Sequence, residues 1–393
     1  SMTSKIVKLL TFSFLLTSHT FHVIFSQSLF IRSWSEDIID IHAAPILVES
    51  FSDGGWLAVS NPNQGNEIWI TRYHSCGDIF WEKQINQTNI GKPISVALDR
   101  NQNVILLFQM ESSDLKKGLF YLIIDSNGTQ IIANQYQSKD DLNGKTLGYL
   151  QDGNIFIGGV GEDEIGKTYQ FLLVLSSMGE RIWSKKEGEF IFEQSAIATQ
   201  DGGILTCTEE SIIKWSSNGA IDWKVKASTN TYAIQFGKTM PLEVVDGFIL
   251  ATPKKNEYCD LVKIDSNGVF QWSSPTFPII NTGTFSTITN LRFPKILSDS
   301  EGNILVSGST KHAVQNTALT IYKFNSNGIP TRSNVFDIQE SHYVSDFTVL
   351  TNKNLLVATI NQNRKPSFLK MNENLEIGCF DRISNNPFVE AKR

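Results

Sequence analysis

The residues best suited to metal or nucleophilic chemistry in this 393-residue chain are six histidines and four cysteines. Their spacing gathers none of them into a site. His19 and His22 form the closest histidine pair, while His42, His74, His312 and His342 stand apart. Zinc is held by three or four Cys or His ligands, usually in closely spaced pairs. Cys76, Cys207, Cys259 and Cys379 include no C-x-x-C pair, so neither a zinc ribbon nor a disulfide-dense scaffold is expected. The acidic turns at 299–303 and 162–164 lack the alternating Asp/Asn ligands and distal Glu of a calcium loop, so they read as solvated turns. No G-x-S-x-G elbow, P-loop or dinucleotide fingerprint occurs. The expectation is therefore no metal, no cofactor and no catalytic residue that a local motif can name. Carboxylates converging from distant parts of the chain, about 5–9 Å apart as glycoside hydrolysis requires, would leave no such motif.

Composition narrows the class. With 41% hydrophobic and 11% aromatic residues, the chain is too apolar for disorder. A formal charge of −6 carries no basic footprint for a phosphate-driven nucleic-acid binder. Ser1 ahead of Met2 reads as an expression remnant. Lys5 and Lys8 precede the apolar run 9–16, apolar character continues through Phe25, and no acidic residue comes before Glu36. Residues 1–27 thus read as a signal peptide or an N-terminal extension, with a secreted, periplasmic or cell-surface protein as the consequence; if the segment is structural, the protein is cytoplasmic. The Thr, Ser and His interruptions make this run a poor membrane span.

Any functional side chain must be positioned by a repeated element. Short polar turns, several of them Asp-Gly, lead into apolar strands at 53, 99, 152, 201, 246, 300 and 352, a period of about 50 residues. A second turn follows each: Ser75-Cys76-Gly77, Asp125-Ser126-Asn127-Gly128, Ser176-Ser177-Met178-Gly179, Ser216-Ser217-Asn218-Gly219, Asp265-Ser266-Asn267-Gly268, Asn325-Ser326-Asn327-Gly328 and the degenerate Asn372-Glu373-Asn374-Leu375. Asn and Gly tolerate the positive φ of tight hairpins. Short strands rich in Ile, Leu, Phe and Trp lie between them; in the unit 295–337 they are expected near 295–297, 304–307, 319–324 and 330–336. Seven units of four antiparallel strands describe an all-β, seven-bladed β-propeller filling 28–393 as one domain.

Two further features belong to the blade. Four residues beyond the turn glycine stands Trp81, Trp183, Trp223 or Trp272, with Ile132, Arg332 and Cys379 in the other units; five before it stands Arg72, Lys214, Lys263, Lys323 or, in the degenerate unit, Lys370. A two-residue hairpin loop would place each such pair face to face, with the cation on the indole; a three-residue loop with a bulge would make the pair diagonal. Ring closure is expected to use 29–34 as an outer strand on the last blade, although 375–380 reads as a claimant to the same place.

The run Leu261-Val262-Lys263-Ile264-Asp265-Ser266-Asn267-Gly268-Val269-Phe270-Gln271-Trp272 resembles a repeat of exported bacterial β-propellers, and is broadly similar to quinoprotein-like propellers. The resemblance covers most of 46–380 and implies a binding or scaffold surface rather than one reaction. No adjacent cysteine pair of a quinone-dependent dehydrogenase is present, and no cysteine precedes Cys76 to carry a lipid. The functional expectation is a monomeric, non-catalytic propeller presenting loops to a protein, peptide or glycan. The longer insertions 61–66, 112–117, 162–168, 226–240 and 276–289 are its candidate contact segments. A carbohydrate-active or other hydrolytic or lyase propeller with axial carboxylates is the alternative.

Overall fold

The computed structural model describes residues 31–33, 47–60, 67–86, 90–111, 116–189, 191, 194–208, 211–226, 240–254, 258–278, 295–312, 316–336, 342–361 and 366–376. Their strands form seven antiparallel sheets, each ordered from an inner to an outer strand. Blade 1 is β2 (Leu47–Ser50), β3 (Trp56–Ser60), β4 (Glu67–Tyr73) and β5 (Ile79–Asn86). Blade 2 is β6 (Ile90–Leu98), β7 (Val104–Glu111), β8 (Lys117–Ile124) and β9 (Gln130–Tyr136). Blade 3 is β10 (Asp141–Tyr149), β11 (Ile155–Glu162), β12 (Thr168–Leu175) and β13 (Arg181–Glu187). Blade 4 is β14 (Gln194–Ala198), β15 (Ile204–Thr208), β16 (Ser211–Trp215) and β17 (Ile221–Lys226). Blade 5 is β18 (Leu242–Val244), β19 (Gly247–Lys254), β20 (Tyr258–Asp265) and β21 (Phe270–Ser273), extended by β22 (Phe277–Pro278). Blade 6 is β23 (Ile296–Ser298), β24 (Ile304–His312), β25 (Asn316–Phe324) and β26 (Pro330–Phe336). Blade 7 is β27 (His342–Val349), β28 (Leu355–Asn361) and β29 (Pro366–Met371).

The fourth strand of blade 7 is β1 (Ile31–Ser33), which pairs with β29 through Ile31↔Leu369, Arg32↔Phe368 and Ser33↔Ser367. The expected closure through an N-terminal strand is thus formed, and it covers an edge that would otherwise be open to another chain. The rival 377–380 lies outside the described residues.

Both turn families arise from the same local chemistry. In the turn 125–129, Gly128 N donates to Asp125 O at 2.9 Å, and Asp125 N donates to Thr129 O at 2.8 Å. The Asp125 carboxylate meanwhile accepts from the N–H groups of Asn127 and Thr129. Gly128 completes the turn at φ 88°, a value glycine adopts without steric cost. The loop therefore closes over three residues. One step further on, a bulge between Ile123 and Ile124 restores the register, so that Ile123 faces Ile132. The same bulge recurs in blades 1, 3, 4, 5 and 6, placing Arg72 opposite Trp81, Lys214 opposite Trp223 and Lys263 opposite Trp272.

The facing pairs exist, but the expected cation–indole stack does not describe what their side chains do. Four of the five cations swing back to the acid of their own blade's first turn: Arg72 to Asp53 at 2.5 Å, Lys214 to Asp201 at 2.8 Å, Lys263 to Asp246 at 2.6 Å and Lys323 to Asp299 at 2.9 Å, while Lys370 donates to Ser75 O of blade 1. The guanidinium of Arg72 also stacks on Phe51 and Phe80. A carboxylate attracts the cation more strongly than a ring quadrupole does. The indoles reach the other way, into the next blade. Trp81 Nε1 donates to Ser126 O at 2.9 Å, Trp183 to Ser217 O at 3.0 Å and Trp223 to Ser266 O at 2.8 Å. A Cβ on Gly128 or Gly219 would lie 3.0 Å from the facing Trp ring, so the turn glycines also make room for these latches.

Apolar clusters fill each seam between blades, as in Leu150, Phe156, Leu172, Ala196, Ile204 and Trp215 between blades 3 and 4. This is where the aromatic wealth of the chain is spent.

Candidate functional site

Antiparallel order divides the disc into two faces. Every turn between first and second strands, and every turn between third and fourth, lies on one face. Connections between second and third strands, and from one blade to the next, leave from the other. The first face is made of short, internally bonded turns. The flanking strands of all five long insertions, 61–66, 112–117, 162–168, 226–240 and 276–289, end on the second. We call these the turn face and the loop face. Much of the insertions themselves lies outside the described residues; the hairpin 163–167 is described, closed by Asp163, whose carboxylate accepts from Ile165 N and Lys167 N. The 299–303 turn is bonded in the same way, with Asp299 accepting from Glu301 N and Asn303 N. Both acidic turns are thus committed to their own backbone.

The inner strands hold neighbouring blades in place around the axis. Bulges in β6, β10 and β27 re-aim one polar side chain each. Ser95 Oγ accepts from Leu147 N of the next blade at 3.2 Å, and Thr146 Oγ1 donates to Ala196 O at 3.1 Å. Asp346 Oδ2 accepts from Val48 N at 3.0 Å, while its Oδ1 pairs with Lys295 Nζ at 2.8 Å. Glu243, on β18, accepts from Gln200 N with both oxygens; burial pushes its carboxyl up from the ordinary value. Asp346 and Glu243 thus each tie neighbouring blades together.

On the loop face, the seam between blades 2 and 3 carries a cluster that no spacing announced. Asp140, 2% exposed, enters β10. Its Oδ2 accepts from Tyr169 OH at 2.5 Å and from Lys186 Nζ, and that ammonium also sits 4.4 Å over the Tyr169 ring. Alongside, Gln109 Nε2 donates to Gly118 O and Leu142 O, both at 2.8 Å. Asp140 Oδ1 and Gln109 Oε1 are buried with no hydrogen-bond partner. Lys186, followed by Tyr169, holds the Asp140 carboxyl below the ordinary carboxylate value against the opposing effect of burial. Burial and the neighbouring carboxylate push the Tyr169 hydroxyl up to about 12. At neutral pH the cluster is therefore carboxylate, ammonium and neutral phenol: an anchor for the loop face, with no group poised to exchange a proton. The residues stand 29 and 46 positions from Asp140, so only the sheet brings them together.

A pH prediction follows with a definite sign. Because the folded carboxyl titrates below its unfolded value of about 3.9, its stabilisation is complete above that pH and is lost as the pH falls toward the folded value. Asp140→Asn should lower the melting temperature at pH 7 and flatten the acid limb of the melting-temperature profile below about pH 4. An unchanged acid limb would remove Asp140 from that role.

The sequence-level candidates are not assembled by the fold. His19, His22 and His42 lie outside the described residues. His74 sits in an exposed blade 1 turn against Phe80, while His312 ends β24 and His342 begins β27. Cys207 and Cys259 are buried in the cores of blades 4 and 5. Among the described residues, no group of three His, Cys, Asp or Glu side chains is placed to hold a metal ion. Nor is any described helix long and apolar enough to cross a membrane.

No protein-family model matches the chain, and no curated protein matches its sequence. Solved structures do match its shape. The WD40 domain of Neurospora crassa Pan2 superposes with a TM-score of 0.58 at 12% identity, covering 87% of this chain and 94% of that one. A Hadza microbial sialidase superposes with a TM-score of 0.50 at 10% identity, covering 86% of this chain and 67% of that one. At such identities the likeness is one of architecture: this chain is a seven-bladed β-propeller.

Proposed function

We propose that the chain is a non-catalytic binding propeller whose loop face receives a protein, peptide or glycan while its turn face serves as a rigid base. The observation that carries this reading is the asymmetry of the disc. All five long polar insertions leave from one face, and the other is built from tight turns tied by ion pairs and indole bonds. Loops on a rigid scaffold are where recognition residues concentrate. Propellers with a WD40 architecture and one that acts as a sialidase share the fold, so it is the described loop face and axis that favour binding over turnover. The proposal places the protein outside the cytoplasm, on the basic and then apolar character of 1–27. The mass of the mature native protein tests that part: a chain retaining residues 2–27 overturns it.

The function itself is tested on glycan and peptide arrays. Compared with the intact chain, replacing the 162–168 hairpin by a two-residue Asn-Gly turn, or making Lys186→Glu, should weaken binding about tenfold or more, as expected when a central contact worth about 1.4 kcal/mol is lost. Val245→Ser, fully exposed on the turn face, should leave binding unchanged. Binding sensitive only to the turn-face change, or turnover of an arrayed glycan, overturns the reading.

A further inference from the structure

The ion pairs of the turn face are set with their cations inward. In blades 4, 5 and 6, Lys214, Lys263 and Lys323 sit within the sheet, opposite Trp223, Trp272 and Arg332, and reach up to carboxylates in the turns. The side chains of Lys214 and Lys263 are 4% and 12% exposed, whereas those of their partners Asp201 and Asp246 are 62% and 69% exposed. A pair held in this way turns its negative end to solvent. The same three blades bring further acids to that face: Asp201, Asp222, Glu243, Asp246, Asp265, Asp299 and Glu301 stand there against Lys214, Lys263, Lys323 and Arg332. Lys323 is sunken like the other lysines, and Arg332, at the border with blade 7, pairs with Glu376. The arc is therefore acidic at its surface, with its lysines beneath.

Apolar side chains fringe the same arc. Ile221 and Phe270 open β17 and β21, and Ile329 immediately precedes β26; they are 44%, 59% and 56% exposed. Blades 4 and 5, and blades 5 and 6, pack through continuous apolar seams, so the three side chains follow one another along one rim. A single exposed apolar residue is ordinary on a protein surface, but one structural position repeated in consecutive blades among carboxylates makes a patterned surface. Blades 1 to 3 carry Ile79, Ile131 and Ile182 near the same place, yet there Arg100 and Arg181 are exposed on the turn face. Acid and apolar fringe thus combine in blades 4 to 6.

We propose that the turn-face arc of blades 4 to 6 is a docking surface for a basic amphipathic segment of another protein, one in which lysine or arginine is interspersed with aliphatic or aromatic residues. The partner's cations meet the raised carboxylates, and its apolar side chains cover Ile221, Phe270 and Ile329. Charge complementarity selects this occupant. A second copy presenting the same arc, an anionic bilayer or a nucleic acid would each bring like charge to it. The charges set the encounter rate and the register, and the apolar contacts set how long the partner stays. The surface lies on the opposite side of the disc from the loop face, so the two can be occupied together and are tested apart.

The test titrates the full chain into a fluorescently labelled peptide of alternating lysine and leucine and reads anisotropy. The expected result is one-to-one binding that weakens about tenfold as salt rises from about 50 to about 200 mM. Exchanging the peptide's lysines for glutamate should abolish binding, and exchanging its leucines for serine should weaken it about tenfold. Phe270→Ser combined with Ile329→Ser should weaken binding about tenfold, and Asp222→Asn, which leaves Lys214 its partner Asp201, about threefold, each at the parent's melting temperature. Ile131→Ser in blade 2, and replacement of the 162–168 hairpin on the loop face, should leave binding unchanged. No binding, equal binding of the leucine and serine peptides, affinity untouched by the double substitution, uptake onto phosphatidylserine vesicles, or a dimer of this chain that Phe270→Ser dissolves would each overturn the proposal.

Discussion

Trp56→Ala is expected to cost about 4 kcal/mol of unfolding free energy, the range for truncating a large buried aromatic. Trp56 is fully buried at the start of β3, in the seam where blade 1 meets blade 7. Its ring stacks on Tyr73 at 3.9 Å with an interplanar angle of 14°, and meets Phe368 of β29 at 4.9 Å. Val48, Ala58, Leu350, Leu356 and Ala358 complete the cluster. The cavity would therefore open at the seam whose packed side chains lie more than 270 residues apart in sequence. Urea unfolding should show a lower midpoint, and hydrogen exchange should show early loss of protection in β2, β3, β28 and β29. Equal loss of protection in all seven blades would mean that the closure seam is no weaker than the rest. Trp56→Phe keeps most of the packing and should recover more than half of the loss.

Asp346→Ala is expected to destabilise the fold by about 3 kcal/mol, at the lower end of the range for breaking a buried ion pair. The side chains of Asp346 and Lys295 are 9% and 13% exposed, and their bond spans blades 6 and 7. The second carboxylate oxygen holds Val48 N of blade 1, so one side chain ties three inner strands. Its removal leaves a largely buried ammonium without this counter-ion and takes away the acceptor for Val48 N. Asp346→Asn keeps an acceptor for Val48 N and loses the charge, so it should fall between the alanine variant and the parent. Pairing each change with Lys295→Met in a double-mutant cycle measures the coupling; additive effects would show that the two residues do not act together.

Much of the blade was legible because hairpins are local objects. The period of about 50, the Asn-Gly and Asp-Gly turns and the strand positions in 295–337 all appear in the structure, with β24 and β25 longer than their apolar cores suggested. Closure by a strand at 31–33 was legible too, because Trp34 lies within one residue of the distance from its anchor turn that Trp81 and Trp183 keep from theirs. In blade 5 the sequence hides an interruption. The outer strand stops at Ser273 because Ser274 turns its hydroxyl onto Leu261 N and Pro275 has no N–H to give; pairing with β20 resumes at Phe277.

The cation–indole pair shows where local reasoning stops. The turn sequence left the pair open between facing and diagonal; the structure has the three-residue loop with a bulge and nonetheless sets Arg72 opposite Trp81 and Lys263 opposite Trp272. The direction of each side chain depended on what the neighbouring turn or blade offered: an aspartate for the cation, a turn carbonyl for the indole. Asp140, Tyr169 and Lys186 meet only because β10, β12 and β13 share a sheet, and the Asp346–Lys295–Val48 tie exists only once the ring is closed.

The absence of a metal or catalytic motif in the sequence was a statement about local spacing, and a propeller assembles its axis and faces from residues about 50 positions apart. By itself, the sequence determined the repeat, the number of blades and the chemistry of each turn, since these rest on contacts within a few residues of one another. Only the tertiary structure decided which face carries the long loops, which carboxylates brace the axis and where each blade's cation and indole point, because those depend on blades packing side by side.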